Sequence, residues 1–290
     1  MIVNAFTVDV EDYFQVTAFE RQVPRHRWDE YPSRVAENTQ RLLRLLERRR
    51  VSATFFVLGW VADRFAGLIR EIAAAGHEIG CHSYWHRCLH DMTPEEFRTD
   101  LRLARDAIER ATGSPVVAYR APSFSITRKT LWAMEILAAE GFRYDSSIFP
   151  IYHDRYGIPD APLSPHSRAT PRGALWEFPP SVCRIYGVNV PVSGGGYFRL
   201  YPARWTARWL RQINESGRPF MFYVHPWELD PGQPRMAGSA LARWRHGVNL
   251  ASTEEKLDWL LGQFSFGRMC DVLLTEATVY AASNAPLIAS

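Results

Sequence analysis

Two histidines four positions apart, His82 and His86, follow directly on a short apolar stretch in the segment Cys81-His82-Ser83-Tyr84-Trp85-His86. On one face of a helical turn, side chains at that spacing close on a single metal ion. An oxygen ligand for such a pair has a source near the start of the chain, where the apolar run 2–8 ends in Asp9-Val10-Glu11-Asp12. Two imidazole nitrogens and one carboxylate form a catalytic set for a divalent metal, with a position left for water. Three acids at one mouth repel each other unless a cation or an arginine neutralises them. Arg120, in Tyr119-Arg120-Ala121-Pro122-Ser123, offers the fork that grips a carboxylate. His225 follows the apolar run 220–224 and precedes Pro226-Trp227-Glu228, a strand-end position suited to proton transfer near neutrality.

These groups are far apart in the chain, so the elements between them must bring them together. Strand-like runs at 3–8, 53–58, 78–81 and 116–119 alternate with helical patterns at 34–50, 62–75 and 94–111, which predicts an α/β fold of parallel strands joined by crossover helices. Thr93 with Glu96 three residues on opens the third helix, and Gly76 and Gly113 stand where helix C-caps belong. In such folds the loops at the carboxyl ends of the strands converge on one mouth. Asp9 to Asp12, His82 with His86, Arg120, Asp145 and His225 all obey that placement. A helix over 128–140 stops at Gly141. Between 150 and 202 prolines break the periodicity, predicting loops and hairpins long enough to be functional. Ser193-Gly194-Gly195-Gly196 reads as a flexible turn with no helix pattern behind it, and lacks the Lys and Ser/Thr of a phosphate cradle. A helix over 203–215, the strand 220–224, a helix over 253–264 and a last strand near 271–274 complete one catalytic domain over 1–290, with a C-terminal elaboration.

Composition narrows the function classes. The net charge is only +3, and the basic stretch 41–50 is interleaved with leucines in a helical pattern, so it reads as a solvated helix face and no nucleic-acid partner is expected. Four cysteines, at 81, 88, 183 and 270, form no CxxC pair and no disulfide framework, which fits a reducing compartment. The first apolar run is short and lacks a basic leader, and the most apolar internal stretch, 53–62, falls well below the roughly 20 residues that span a bilayer. A cytoplasmic protein without a membrane span is the expectation. His77-Glu78 is not the start of a zinc-protease motif, because Cys81 occupies the place of its second histidine. Tryptophans 85, 176 and 227 lie beside the polar candidates, either as a sugar-stacking wall or as core.

Taken in order, these segments resemble the five motifs of the polysaccharide deacetylase family, also called carbohydrate esterase family four or the NodB-homology family. The match runs from residue 6 to about 228 and includes Arg143 to Asp145 as an Arg-x-Asp segment. The wording Thr7-Val8-Asp9-Val10-Glu11-Asp12-Tyr13-Phe14 and His225-Pro226-Trp227-Glu228-Leu229-Asp230 is similar to a subgroup found with exopolysaccharide and exosortase loci, which carries an extra C-terminal region, here 150–290. The resemblance implies a distorted (β/α) barrel of about seven strands and zinc-dependent hydrolysis of N-acetyl groups on the hexosamine units of an oligo- or polysaccharide; the expected cytoplasmic placement points to a lipid-linked precursor as one form of that partner. It implies Asp9 as general base, His82 and His86 as metal ligands, His225 as general acid, Arg120 as tether of the base, Asp145 as a tuning residue, and an oxyanion donor near Tyr13. Family members have adjacent aspartates where Val10 follows Asp9 here, so the third ligand lies between Glu11, favoured by strand alternation, and Asp12, favoured by a chain already turning. Two other readings are an allantoinase-like hydrolase of cyclic amides or ureides and a non-catalytic sugar-binding protein.

Overall fold

In the computed structural model, which describes residues 2–153 and 155–283, the first strand sets the architecture. Strand β1 (Val3–Val10) is buried along all but its first residue, as expected of a central parallel strand covered on both faces. Helix α1 (Val35–Arg49) turns Leu42, Leu43, Leu45 and Leu46 inward and leaves Arg44, Arg48 and Arg49 to solvent. The chain continues through β2 (Thr54–Val57), α2 (Gly59–Arg64), α3 (Ala66–Ala74), β3 (Glu78–Cys81), α4 (Pro94–Thr112), β4 (Ala118–Tyr119), α5 (Trp132–Ala139) and β5 (Tyr144–Asp145). The capping box on α4 forms as its sequence predicts, with Thr93 and Glu96 each accepting the other's amide.

Next come the hairpin β6 (His166–Thr170) and β7 (Gly173–Glu177), the separate hairpin β8 (Val182–Ile185) and β9 (Val188–Pro191), then α6 (Gly195–Leu200), α7 (Ala203–Glu215) and β10 (Met221–Val224). The chain closes with α8 (Ala240–Gly247), α9 (Leu250–Leu261), β11 (Ser265–Gly267) and α10 (Met269–Ser283). The central sheet runs β10-β1-β2-β3-β4-β5-β7-β6, with β11 also paired to β1. Its pairings are parallel except at the β6–β7 hairpin.

Three sequence expectations change. Among the described residues no pairing joins β10 to β6 or β7, so the sheet is a mixed, wound α/β sheet and its closure into a barrel is not seen. The apolar run 271–274 is helix: Val272 and Leu273 are buried while Leu274 is exposed, and the first-turn amides of α10 are capped by Thr54 Oγ1 at 2.7 Å and Glu78 Oε2 at 3.1 Å. The triple glycine is the start of α6, a helix with no sequence pattern of its own. No helix of the described residues is long and apolar enough to cross a membrane.

The parallel register carries the functional segments to one level. His82 N–H donates to the Val57 carbonyl and Arg120 N–H to the Cys81 carbonyl, both at 2.9 Å, so the residues that follow β3 and β4 emerge beside the end of β2. Asp9 pairs in register with Phe56, Tyr119 with Cys81, and Asp145 with Tyr119.

Candidate active site

At the end of β1, Glu11 N–H donates to the Asp9 carbonyl at 3.0 Å, a tight turn that keeps the Asp9 and Glu11 carboxylates in the mouth. Asp12 leaves it. Its carboxylate accepts the Ser33 hydroxyl at 2.5 Å and the Arg34 and Val35 amides at 3.0 and 3.2 Å, capping the N-terminus of α1, where the helix dipole favours an anion. Burial pushes the Asp12 carboxyl up, and these hydrogen bonds work against that shift. Asp12 also accepts the Tyr13 amide at 3.0 Å, so the backbone donor implied for the oxyanion is already engaged.

Glu11, His82 and His86 are buried and present ligand atoms that all lie within 4.8 Å of one another. Glu11 Oε2 is 2.9 Å from His86 Nε2 and has no hydrogen-bond donor of its own. His82 Nδ1 lies 2.8 Å from the Arg120 carbonyl; donating there, it leaves the Nε2 lone pair free, the outer-sphere contact that orients metal-binding imidazoles. An orphaned carboxylate oxygen and an imidazole nitrogen held in its ligating tautomer fit a divalent metal. Burial alone raises the Glu11 carboxyl, but His86, His225 and His82 together bring it down to about 2. Burial lowers His82 to about 4, with Asp9 pulling the other way, so its ring is neutral at pH 7 as a ligand must be.

The two histidines meet by a route other than a helical face. Residues 82–88 form a loop in which Ser83 and His86 take left-handed backbone angles, with φ of 71° and 50°. Buried Asp100, on α4, holds that loop by accepting the Ser83 hydroxyl and the Tyr84 and Trp85 amides, the last two at 2.8 and 3.3 Å. Nothing in the spacing of the segment signals Asp100, because its partners, one hydroxyl and two backbone amides, lie 15 to 17 residues away.

Around this cluster stand the proton-handling groups. Arg120, with no exposed surface, grips Asp9 Oδ1 at 2.6 Å and Thr7 Oγ1 at 2.9 Å and is braced by Ser146. His225 Nε2 is 3.4 Å from Glu11 and 3.9 Å from Asp9, and its Nδ1 is 3.0 Å from Glu228. Burial depresses the His225 imidazolium, yet Glu228, Glu11 and Asp9 outweigh it and raise it to about 9. Asp9, Glu11, His82, His86, Arg120 and His225 are therefore brought together, and Asp12 is not among them. Asp145 also points elsewhere: it accepts the Ser147 hydroxyl at 2.6 Å and lies against the carboxyl of Glu177, both carboxyls being buried. Trp227 is a buried slab between His225 and His246, at ring distances of 5.3 and 4.6 Å, and donates to Glu11 at 3.3 Å, so it is support and not a sugar-facing wall.

Residues 26–142 match the polysaccharide deacetylase family. The chain carries a polysaccharide deacetylase domain. Residues 146–274 match a domain of unknown function, DUF3473, so the site draws Asp9 and Glu11 from before the first match and His225 from within the second. Among curated relatives, the peptidoglycan-N-acetylglucosamine deacetylase of Bacillus cereus is 34% identical over 100 residues, covering 34% of this chain and 36% of that protein. The peptidoglycan deacetylase of Helicobacter pylori is 32% identical over 121 residues, 40% of each chain. The chain thus spans well under half the length of these relatives.

A solved Mycobacterium smegmatis structure described as a polysaccharide deacetylase superposes with a TM-score of 0.64 over 95% of this chain and 90% of its own, at 22% identity. Puue allantoinase does so with 0.59 over 98% and 91%, at 14% identity. Both likenesses show the α/β fold alone.

Proposed function

We propose that this protein hydrolyses N-acetyl groups on hexosamine units of an oligo- or polysaccharide, releasing acetate and a free amine. The observation that carries the reading is the convergence of a buried His-His-Glu ligand set with a tethered carboxylate and a strand-end imidazole. Glu11, His82 and His86 would hold the metal, for which the nitrogen-rich donor set favours zinc. Such an ion supplies Lewis acidity toward an amide carbonyl and toward water.

The chain's own groups handle the protons. Asp9, with one oxygen locked by Arg120, keeps Oδ2 toward the mouth to take a proton from the attacking water. His225, charged at neutral pH, gives a proton from Nε2 to the leaving nitrogen as the C–N bond breaks, a necessary step because an amine anion is a very poor leaving group. Arg120 fixes the direction of the Asp9 carboxylate, and burial of the surrounding walls limits competing water. The resemblance of the flanking motifs supports a substrate from exopolysaccharide assembly, polymeric or lipid-linked. Four free cysteines fit the cytoplasm as the compartment, which cell fractionation tests.

The decisive assay is acetate release from N-acetylated oligosaccharides of several lengths, before and after chelation and with zinc added back. Activity lost on chelation and restored by zinc is the expected result. Full turnover without metal, or no acetate from any length, overturns the proposal, the first in favour of a ureide hydrolase and the second in favour of a sugar-binding protein.

A further inference from the structure

Arg199 is a charged side chain that the proton transfers above do not use, yet it is buried on α6 and makes four hydrogen bonds. Its Nε donates to Glu228 Oε1 at 2.8 Å. The other carboxylate oxygen of Glu228 accepts the His225 amide at 3.0 Å and lies 3.0 Å from His225 Nδ1. A carboxylate only accepts, so Nδ1 carries the proton and the ring is held with Nε2 toward Asp9 and Glu11. The Arg199 guanidinium also stands 5.2 Å from the centre of the Trp227 ring, which stacks on His225.

The triple glycine makes this approach possible. Gly194 and Gly195 have φ of 133° and 54°; a Cβ at the first would lie 1.9 Å from the Tyr223 carbonyl oxygen and at the second 2.8 Å from the Tyr223 ring. Only a bare backbone lets α6 start against β10 and turn Arg199 onto the loop after it.

We propose that Arg199 is a positioning residue for the proton donor: it pins Glu228, Glu228 holds the His225 imidazole by Nδ1, and the region 146–274 thereby supplies the donor together with its support. This rests on His225 acting as the donor in the reaction proposed above. A purely structural role is carried by different atoms, since the terminal nitrogens of Arg199 bind the carbonyls of Arg245, His246 and Val248 at 2.9 to 3.0 Å around the end of α8.

The test compares the full chain with Arg199→Met and Arg199→Lys by zinc content, by kcat and KM for acetate release from an N-acetylglucosamine oligomer, and by the Nδ1–H signal of His225 in side-chain nitrogen spectra of the metal-free protein. For Arg199→Met we expect unchanged zinc content, KM within about threefold, kcat lower by about 10-fold to 100-fold, and loss of the Nδ1–H signal to exchange. Arg199→Lys, which keeps the charge but not the fork, should recover part of both. Wild-type kcat in Arg199→Met, or a lower kcat with the signal intact, overturns the proposal. Should Arg199→Met not fold, Arg199→Lys decides on the same readings, and full wild-type kcat there overturns it as well. A wild-type protein that releases no acetate, but whose His225 signal depends on Arg199, strikes the deacetylase reading and leaves the positioning intact.

Discussion

Two buried acid groupings sit at the carboxyl ends of strands in one sheet, and they differ in company. At β1, Asp9 and Glu11 face Arg120, His86, His82 and His225; at β5 and β7, Asp145 and Glu177 face each other. The basic neighbours hold Glu11 ionised, at about 2, in spite of its burial. Burial and the repulsion of Asp145 push the Glu177 carboxyl well up, and burial raises Asp145. The lesson is that depth in the sheet does not make a carboxyl catalytic; the sign of what faces it does.

The comparison breaks first at Asp9. Asp9→Asn should lower kcat by about 100-fold to 10,000-fold with zinc content unchanged, measured by acetate release and metal analysis; full turnover would remove the mouth acids from the chemistry. Asp12 is the next test, because it adjoins Glu11 yet belongs to a helix end. Asp12→Ala should cost about 1–2 kcal/mol in denaturant unfolding and leave zinc stoichiometry intact, whereas loss of the metal would return Asp12 to the ligand set.

The smallest effect sharpens the second pair. A carboxyl whose folded value is raised binds its proton more tightly when native, so its stabilising share is complete below the ordinary value, 4.5 for Glu177, and declines as pH rises above it. The wild-type chain should therefore lose stability through this pair as pH rises above the ordinary value of 4.5, and Asp145→Asn, by removing the repelling carboxylate, should flatten that slope with turnover little changed. An unaltered slope in urea titrations above that value would show that Asp145 does not raise the Glu177 carboxyl.

Much of the scaffold was legible because local rules and tertiary fate agree. The buried run of β1, the leucine stripe of α1 and the capping box of α4 each form where pattern predicts. The α10 helix was missed because a short apolar run is ambiguous in period, and what settles it is capping by Thr54 and Glu78 from strands far away in sequence. The start of α6 was missed because glycines read as turn, although here they serve a close approach to Tyr223.

By itself the sequence determined which chemical groups stand at the strand ends and that parallel winding collects them at one mouth, since periodicity and residue type are local properties. Only the tertiary structure set Glu11 beside the two histidines and Asp12 at the start of α1, sent Asp145 to Glu177, bent the His82–His86 segment into a left-handed loop over Asp100, and set Arg199 behind Glu228. Each of those outcomes depends on a partner tens to hundreds of residues away or on a backbone angle that such a partner holds, and a buried polar group takes its role from the neighbours that satisfy it.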